Sequence, residues 1–417
     1  MIHTLYNLAI RAFNAISLRH ARYLKRPKKK FARFCTGQLL VFRKLEHTEM
    51  RRTDTRPTLW IHASSYGEYN AARPIIQRLH DAGTWRIVLT FFSPTGVDLL
   101  HYRHPLVDEV YYLPLDTPRN VTRFLDIVRP QKAIFVISEY WVNYLIELHR
   151  RRIPTYLLSA HITPKAPFLR WYGGMFREAL KAFTRFLVLD EESRQHLAQI
   201  GFTNVTVTSD PLFDNVVARA RTDYHNPIIE RFARDKEVFV VGSLTDMHDL
   251  YLTAALSWLH KRTRFIIVPH EITPQSIRQI QRALLGHAIL YSECTEETPF
   301  DDVQALIIDF MGALAYIYRY GQMAYVGGGF GSTLHSVIEA AVYGIPVAFG
   351  PNIRRQRTAQ ILLDNEVGTA VTKLRELNKW FKTMQAHPET RRAIYDRCQQ
   401  LIEEHSGATD AIVAELS

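Results

Sequence analysis

Short apolar runs alternate with segments of helical periodicity from about residue 58 to residue 210. Apolar runs bounded by turn residues are typical of strands that are buried on both faces of a sheet. The predicted strands cover 59–63, 86–92, 109–113, 133–137, 155–159, 185–188 and 205–208. The predicted helices between them cover 70–80, 120–128, 141–151, 168–182 and 191–199. This alternation predicts an α/β domain with a doubly wound parallel sheet.

A second alternating series follows a polar, charged stretch at 216–236. Its strands are predicted at 238–241, 264–268, 287–292 and 304–308, and its helical segments at 313–319 and 373–417. A chain of 417 residues is long for one hydrophobic core, which also favours two domains. We therefore predict a Rossmann-like domain at 51–215, a linker at 216–236 and a second Rossmann-like domain at 237–417. The last helix is placed to pack back on the first domain.

A glycine-rich motif lies in the second series, where residues 323–351 read MAYVGGGFGSTLHSVIEAAVYGIPVAFGP. The pattern predicts a strand, a glycine loop, a helix over 334–342 capped by Ser332 or Thr333, and a second strand. Two Rossmann-like halves with such a loop in the second half describe the GT-B glycosyltransferase architecture, in which two domains face a cleft.

The chemistry of this motif points to a nucleotide. Glycine lets the backbone approach a ligand closely, and a helix N-terminus presents free N–H groups, so the loop around Gly328 and Gly329 suits a phosphate. Glu339 is placed to accept hydrogen bonds from the hydroxyls of a ribose. The alternative interpretation is a glycine-rich turn with a solvated Glu339. The spacing differs from the GxGxxG fingerprint, so hydride chemistry is not favoured.

Positive charge is concentrated at the N-terminus. The net charge is +11, and residues 1–56 hold 14 of the 52 Lys and Arg but only 3 of the 41 Asp and Glu, so the rest of the chain is neutral. A nucleic-acid enzyme more often spreads positive charge over a groove, so no nucleic-acid partner is predicted. Cysteines are few and far apart, which argues against disulfides or a zinc site and fits a reducing compartment (Cys35, Cys294, Cys398).

The basic segment at 1–50 begins with an amphipathic stretch. In residues 1–18, one helical face carries apolar residues (Ile2, Leu5, Tyr6, Ala9, Phe13, Ile16), and a run rich in Lys and Arg follows between Arg19 and Arg33. The stretch is too short for a comfortable membrane span and lacks the features of a signal peptide. It predicts an interfacial helix that associates with an anionic membrane surface. The alternative is a helix docked on the protein next to a solvated basic loop.

Several motifs together resemble the 3-deoxy-D-manno-oct-2-ulosonic acid (Kdo) transferase family. They are WIHASSYGEYNAARPII at 60–76, PLDTPRNVTRFLDIVRPQKAIFVISEYWVN at 114–143, VPHE at 268–271 and the glycine motif. The resemblance implies an inverting GT-B enzyme of lipopolysaccharide biosynthesis that transfers Kdo from CMP-Kdo to the lipid A precursor, lipid IVA. It implies peripheral or monotopic attachment at the cytoplasmic face of the inner membrane. It implies no metal and no cofactor for the transfer step, and the sequence predicts no oligomeric state.

The resemblance also implies roles for particular residues. Glu68 matches the general base, and Glu139 matches an acidic residue that acts on the transition state or orients the acceptor. The positions that match contacts to CMP-Kdo are Pro269, His270, Gly312, Ala313, Leu314, Gly328, Gly329, Ser336, Val337, Ile338 and Glu339. A further anion contact at Gly242 and Ser243, for example to the Kdo carboxylate, is predicted from geometry alone, because the two residues are expected to open a helix directly after a strand.

Three positions depart from the family pattern. Ser336 stands where many members have Asn, Ala313 where an acidic residue is usual, and Leu212 where many have a basic residue. The missing cation is either absent or supplied elsewhere, with Arg185 and Lys165 as candidates. These departures leave two alternatives open: a GT-B sugar transferase or sugar-nucleotide enzyme with another donor, and a non-catalytic membrane-associated binder of nucleotide sugars.

Overall fold

The computed structural model describes residues 2–23, 29–94, 96–97, 105–331, 333–354 and 356–416. The chain divides into two compact units, the first comprising Met1–Asn215 with Ser406–Ser417 and the second Val216–His405. Each unit contains a seven-stranded sheet in which neighbouring strands pair in parallel. The prediction of two parallel-sheet α/β domains is thereby confirmed.

The strands are numbered in chain order across both units. Those of the first unit are β1 (Thr58–His62), β2 (Arg86–Phe91), β3 (Glu109–Tyr112), β4 (Lys132–Val136), β5 (Thr155–Ala160), β6 (Phe183–Val188) and β7 (Val205–Val207). Those of the second are β8 (Val238–Leu244), β9 (Arg264–Pro269), β10 (Ala288–Leu290), β11 (Ala305–Ile307), β12 (Met323–Val326), β13 (Val347–Phe349) and β14 (Gly368–Ala370).

The helices are likewise numbered in chain order. In the first half of the chain they are α1 (Ile2–Arg22), α2 (Lys30–Met50), α3 (Tyr66–Asp81), α4 (Pro118–Val128), α5 (Val142–Arg150), α6 (Gly174–Leu180), α7 (Glu191–Gln199) and α8 (Pro211–Arg221). The others are α9 (Pro227–Ala233), α10 (Met247–Leu259), α11 (Pro274–Ala283), α12 (Leu314–Ile317), α13 (Ile338–Ala341), α14 (Arg357–Asp364), α15 (Leu374–Ala386), α16 (Pro388–His405) and α17 (Ala408–Leu416). Single 3₁₀ turns are formed among the described residues by Pro167–Leu169, Tyr291–Glu293 and Tyr318–Tyr320.

Each sheet has a topological switch point. The first sheet has the order β3-β2-β1-β4-β5-β6-β7, so successive crossovers run in opposite directions from the adjacent strands β1 and β4. The second has the order β10-β11-β9-β8-β12-β13-β14, which makes β8 and β12 the corresponding neighbours. Ligands of open α/β sheets bind outside the carboxyl ends of the strands at such points.

Alternation of side chains along the strands explains the apolar runs. In β1, Trp60 faces one layer and packs against Phe124 of α4 and Tyr144 of α5. Its neighbours Leu59 and Ile61 face the opposite layer, which α3 helps to cover. Because helices cover both faces, every residue of β1 is buried, and its residues 59–61 form a continuous apolar run.

Helix α2 was not predicted from the sequence. It belongs to the first unit, where Val41 and Leu45 join the same layer as Trp60. The Gln38 side chain donates to the Leu113 carbonyl oxygen at 2.9 Å and accepts from the Leu115 N–H at 2.9 Å. The segment at 1–50 therefore contains part of the core of this unit in addition to the amphipathic stretch.

The C-terminal helix α17 also lies in the first unit. The Asp214 carboxylate accepts hydrogen bonds from the N–H groups of Gly407 and Thr409 at 2.7 and 2.6 Å, at the N-terminus of α17. Ile412 and Leu416 then pack in the layer that contains Leu59 and Ile61. The stretch at 216–236, predicted to be a linker, contains most of α8 and all of α9.

Helix α1 is docked by polar contacts near its N-terminus and by Ile10 and Phe13, which pack beside Phe34 of α2. Tyr6 donates its hydroxyl to Asp116 at 2.6 Å, Asn143 donates its side-chain amide to Asn7 at 2.8 Å, and His3 lies 3.0 Å from the Asn143 side-chain oxygen. The rest of the apolar side faces outward, with Leu5 59% exposed and Ile16 61% exposed. The prediction placed Tyr6 on the apolar face, whereas its hydroxyl faces the protein. Among the described residues, no helix is both long enough and apolar enough to cross a membrane.

Two predicted helices are shorter than expected. The helix predicted at 168–182 is interrupted by Gly173, and only α6 forms, which leaves the Trp171 side chain 90% exposed. The helix predicted at 334–342 is reduced to the single turn of α13, which begins at Ile338 after a loop over 333–337. Thr333 therefore does not cap it, and the other predicted cap, Ser332, lies outside the described residues.

Gly242 is required by packing, because a Cβ at this position would overlap the hydroxyl group of the buried Tyr318. We expect Gly242→Ala to destabilise the second unit by about 1–3 kcal/mol, as overpacking of a core typically does. Thermal unfolding checks this through a lower midpoint. The matched control is Gly331→Ala, which meets no atom closer than 3.6 Å and should leave the midpoint unchanged. Equal midpoints for the two variants would contradict the packing argument.

Candidate active site

Glu68 lies in the first turn of α3, directly after β1. Ser65 caps this helix, and its side chain accepts a hydrogen bond from the Glu68 N–H at 3.4 Å. The Glu68 carboxylate reaches back and accepts from the N–H of Ser64. These contacts hold the carboxylate at the carboxyl end of β1.

Glu139 follows β4, the neighbour of β1 at the switch point. One of its carboxylate oxygens lies 3.4 Å from Nε2 of His62, the last residue of β1, which is fully buried. His62 is in turn fixed by Thr90, whose hydroxyl lies 2.9 Å from Nδ1, and by Trp141, whose indole N–H donates to Nε2 at 3.0 Å. The two predicted catalytic carboxylates are thus brought together by adjacent strands.

The surroundings of the two carboxylates separate their pKa values. Burial and the nearby charge of Glu139 raise the pKa of Glu68 from 4.5 to about 7, against the opposing hydrogen bonds from the backbone of Ser64 and Ser65. Burial also acts on Glu139, but the polar side chains of His62, Ser64 and Trp141 around it outweigh the burial and lower its pKa. Such a pair contains one carboxylate that is ionised at neutral pH and one that titrates near it, as acid–base chemistry requires.

Asp116 is a buried carboxylate at the N-terminus of α5, the helix that follows Glu139, and sequence reasoning missed it. It is fully buried and accepts from the backbone N–H groups of Asn143 and Tyr144 at 3.0 Å each, which caps the N-terminus of α5. Burial raises its pKa to about 7, although hydrogen bonds from Tyr6, Asn143 and Tyr144 oppose the shift. The signal was present in the sequence as a lone acidic residue within the mostly apolar run before α4.

A buried carboxylate of the second unit holds the glycine loop of that unit. The Asp249 carboxylate, fully buried at the start of α10, accepts from the Gly328 N–H at 2.8 Å and from the Tyr325 hydroxyl at 2.7 Å. Asp249 was also missed from the sequence. The Gly328 N–H is therefore engaged, whereas the backbone N–H groups of Gly329 and Phe330 have no acceptor among the described residues.

Packing within the unit also explains the glycines of this loop. Gly328 has a left-handed φ of 91°, and a Cβ on Gly329 would lie 2.7 Å from the Gly350 backbone. These glycines are needed for the close approach of two backbone segments, whatever ligand the loop binds.

Two histidines stack above the ends of the central strands. His270, directly after Pro269 at the end of β9, lies with its ring centre 4.1 Å from that of His335. The Thr245 hydroxyl donates to the Ser243 carbonyl oxygen at 2.7 Å, so it accepts from Nε2 of His335 at 2.8 Å. Burial and then the neighbouring His270 lower the pKa of His335 to about 4, which keeps the ring neutral.

The residues around α13 that were predicted to bind CMP-Kdo are consecutive in the chain. The Ser336 hydroxyl is buried without a hydrogen-bond partner among the described residues. Val337 and Ile338 are buried packing residues. Glu339 lies 3.8 Å from the Arg219 guanidinium and keeps 23% of its side chain exposed, and burial raises its pKa despite the charge of Arg219.

The loop before α12 contains the remaining predicted donor positions. Gly312 has a left-handed φ of 93°, Ala313 is buried, and the Leu314 side chain lies beside Gly242. A chain reversal at Gly312 thus leads directly into the short α12.

The geometric reason for an anion contact at Gly242 and Ser243 is wrong. Both residues lie within β8 and do not open the next helix. That helix, α10, begins at Met247 and is capped by the carboxylate of Asp246, which accepts from the N–H groups of His248 and Asp249. The Asp246 carboxylate thus already binds backbone N–H groups at the N-terminus of α10 that a bound anion would otherwise contact.

One candidate for the missing basic residue is already paired. Arg185 lies 3.1 Å from the carboxylate of Glu415 in α17. Lys165 is exposed and has no partner among the described residues, and Leu212 occupies the first turn of α8.

Comparison with known proteins finds a family model and curated relatives that match this chain. Residues 38–215 match the family model described as 3-deoxy-D-manno-octulosonic-acid transferase (kdotransferase). The 3-deoxy-D-manno-octulosonic acid transferase of Chlamydophila psittaci is 25% identical over 85% of this chain and 84% of its own length. That of Bordetella pertussis is 27% identical over 84% and 85%.

Solved structures support the same fold. The calicheamicin glycosyltransferase CalG4 has a TM-score of 0.54 at 11% identity and covers 87% of this chain and 98% of its own. Similarity at this identity shows the fold alone. Fold and family matches together identify the chain as a glycosyltransferase with two Rossmann-like domains. Its resemblance to the Kdo transferase family is confirmed, since curated transferases of that name match most of its length.

The raised pKa of Glu68 predicts a dependence of stability on pH. Because the folded-state pKa lies near 7, the contribution of Glu68 is greatest below about pH 4.5 and is lost as the pH rises through 7. Relative to Glu68→Gln, the wild-type unfolding free energy should therefore fall by about 2 kcal/mol between pH 4.5 and 8. Urea unfolding across this range measures the difference. Glu192→Gln, at a site 61% exposed, should show a flat difference, and a flat difference for Glu68→Gln would contradict the assignment.

Proposed function

We propose that the chain is an inverting transferase that moves Kdo from CMP-Kdo to a hydroxyl of lipid IVA in the biosynthesis of the lipopolysaccharide inner core. Glu68 is the base that takes the proton from the attacking hydroxyl, and Glu139 stays ionised beside it. One observation carries this proposal, namely the pKa of about 7 at Glu68 next to Glu139 at a switch point. A base with a pKa near the working pH is both unprotonated and able to hold the transferred proton.

The second unit binds the donor in this proposal. The phosphate of CMP gains negative charge as the sugar leaves, and fixed N–H dipoles stabilise such charge. The unengaged N–H groups of Gly329 and Phe330 supply these dipoles. The Ser336 hydroxyl, buried without a partner among the described residues, and the mostly buried Glu339 are suited to the nucleoside. The transfer step uses no metal and no cofactor other than this co-substrate.

We place the reaction at the cytoplasmic face of the inner membrane, with α1 as a peripheral or monotopic anchor. The support is the outward apolar side of α1. Leu5, Leu8 and Ile16 are each more than half exposed, a cost in water that burial at a lipid surface removes. Basic residues between Arg19 and Arg33 add attraction to anionic lipids, although 24–28 lie outside the described residues.

A second candidate is a GT-B sugar transferase or sugar-nucleotide enzyme with another donor. The replacement of family-typical residues by Ala313 and Ser336 favours it, because both lie among the predicted donor contacts. The similarity in fold to a UDP-N-acetylglucosamine 2-epimerase from Listeria monocytogenes, with a TM-score of 0.59 at 13% identity over 87% of this chain and 96% of its own, is compatible with it.

Replacement of the base tests the main proposal. Glu68→Gln should lower the transfer rate by about 10²- to 10⁴-fold, because the amide cannot accept the proton. Mass spectrometry of lipid IVA incubated with CMP-Kdo measures product, and CMP-Kdo binding should be unchanged. In the wild type, kcat/KM should rise with pH and level off above about 7.

Glu192→Gln is the control for this experiment and should retain full activity. Undiminished transfer by Glu68→Gln would show that Glu68 is not the base. Tight binding of UDP-N-acetylglucosamine without binding of CMP-Kdo would favour the second candidate.

A single charge on the outward side of α1 tests the anchor. Leu5→Asp should lower partition onto anionic vesicles by about tenfold, because a carboxylate replaces an apolar side chain that enters the interface. Thr4→Asp adds the same charge at an exposed polar neighbour and should have a much smaller effect. Vesicle co-sedimentation measures both variants. Equal losses would show that charge alone, and not apolar insertion, governs binding.

A further inference from the structure

A basic groove lies within the first unit between α1, α2 and α4. It has a volume of about 1260 Å³ and is separate from the residues assigned to catalysis. Its walls combine cationic side chains with apolar ones, and Glu46 is the acidic residue among them. The cationic residues are Arg11, Arg43, Lys44, Arg119 and Arg123, and the apolar residues are Leu18, Leu39, Leu40, Phe42 and Met50.

The cations of this groove are unequally engaged. Arg123 pairs with Glu46 at 2.6 Å and stacks over Phe42, and Lys44 donates to the Val110 carbonyl oxygen at 3.0 Å. In contrast, Arg11, Arg43 and Arg119 are exposed and have no ion-pair or hydrogen-bond partner among the described residues. Three unpaired guanidinium groups around one groove repel one another and favour an anion. Guanidinium groups match the oxygens of a phosphate particularly well.

The position of the groove identifies the source of that phosphate. Arg11, Asn14 and Leu18 recur at spacings of three and four residues, so one edge of α1 lines the groove. The outward apolar side of α1, including Leu8, adjoins this edge. Leu40 and Met50 of α2 are also exposed, at 47% and 80%. A ligand with a phosphate and attached acyl chains satisfies both the unpaired cations and this apolar rim, whereas a free phosphate satisfies only the cations.

We propose that this groove binds the headgroup phosphate of an anionic membrane lipid, with Arg43 and Arg119 as its principal contacts. Such a site holds the first unit in one orientation on the lipid surface. Non-specific electrostatic attraction by the basic N-terminal run does not define an orientation. The proposal builds on the membrane association of α1 but does not depend on the transfer reaction.

Loss of the two principal cations tests the site. Arg43→Gln with Arg119→Gln should lower partition onto phosphatidylglycerol-containing vesicles by about tenfold or more, since each basic residue near the surface contributes substantially. Partition onto pure phosphatidylcholine vesicles should equal that of the wild type. The control, Arg278→Gln with Arg375→Gln, removes the same charge from exposed positions of the second unit and should have a smaller effect. Equal losses for both double variants, or no loss for the first, would overturn the proposal.

A labelled lipid locates the contact directly. Phosphatidylglycerol carrying a photoreactive group next to its phosphate should label peptides from 38–50 and 117–123, and Arg43→Gln with Arg119→Gln should abolish most of this label. Label confined to α1, or complete competition by millimolar inorganic phosphate, would refute a lipid headgroup site. The vesicles contain no acceptor, so a failure of the transfer reaction leaves this result unaffected.

Discussion

The burial of two carboxylates at the ends of adjacent parallel strands is the constraint on which the candidate chemistry depends. The connections that follow β1 and β4 run to opposite sides of the sheet, although the two strands are neighbours. Glu68 and Glu139, at the start of these connections, therefore lie close together. Two neighbouring buried carboxylates do not both ionise easily. Side-chain donors around Glu139 settle which of them does, and Glu68 is left with a pKa near neutrality. The acid–base character of the site thus follows from an unequal distribution of hydrogen-bond donors.

Buried carboxylates also shape the surroundings of both candidate sites. Asp116 caps α5, the helix that follows Glu139, and Asp249 binds the N–H of Gly328 in the glycine loop. Each carboxylate accepts hydrogen bonds from backbone N–H groups that have no acceptor within their own segment. These hydrogen bonds hold the loop in one position. Because Asp116 also binds Tyr6 of α1, the candidate membrane helix and the helix next to Glu139 share one buried group.

The orientation of α1 on the protein shows which side of this amphipathic helix is available to a lipid surface. A helix docked on a soluble protein normally buries its apolar side. Here polar side chains make the contacts with Asp116 and Asn143, while Leu5, Leu8 and Ile16 of the apolar side face outward. They lie near a groove in which three of the four arginines have no partner among the described residues. The apolar side and the cationic groove lie on neighbouring parts of one unit. Both favour binding to an anionic lipid surface, the first by apolar insertion and the second by electrostatic attraction.

The sequence by itself determined the two parallel α/β domains, because strands buried on both faces must be continuously apolar and therefore stand out between helical segments. It also marked Glu68 and Glu139, through the resemblance of the motifs around them to those of the Kdo transferase family. Only the tertiary structure decided which polar groups meet. The partners of Asp116, Asp249 and Arg185 lie far away in the chain, so no local pattern could reveal them. For the same reason the glycine loop, which resembles a phosphate loop in sequence, owes several of its glycines to contacts with Gly350 and His335 that only folding creates.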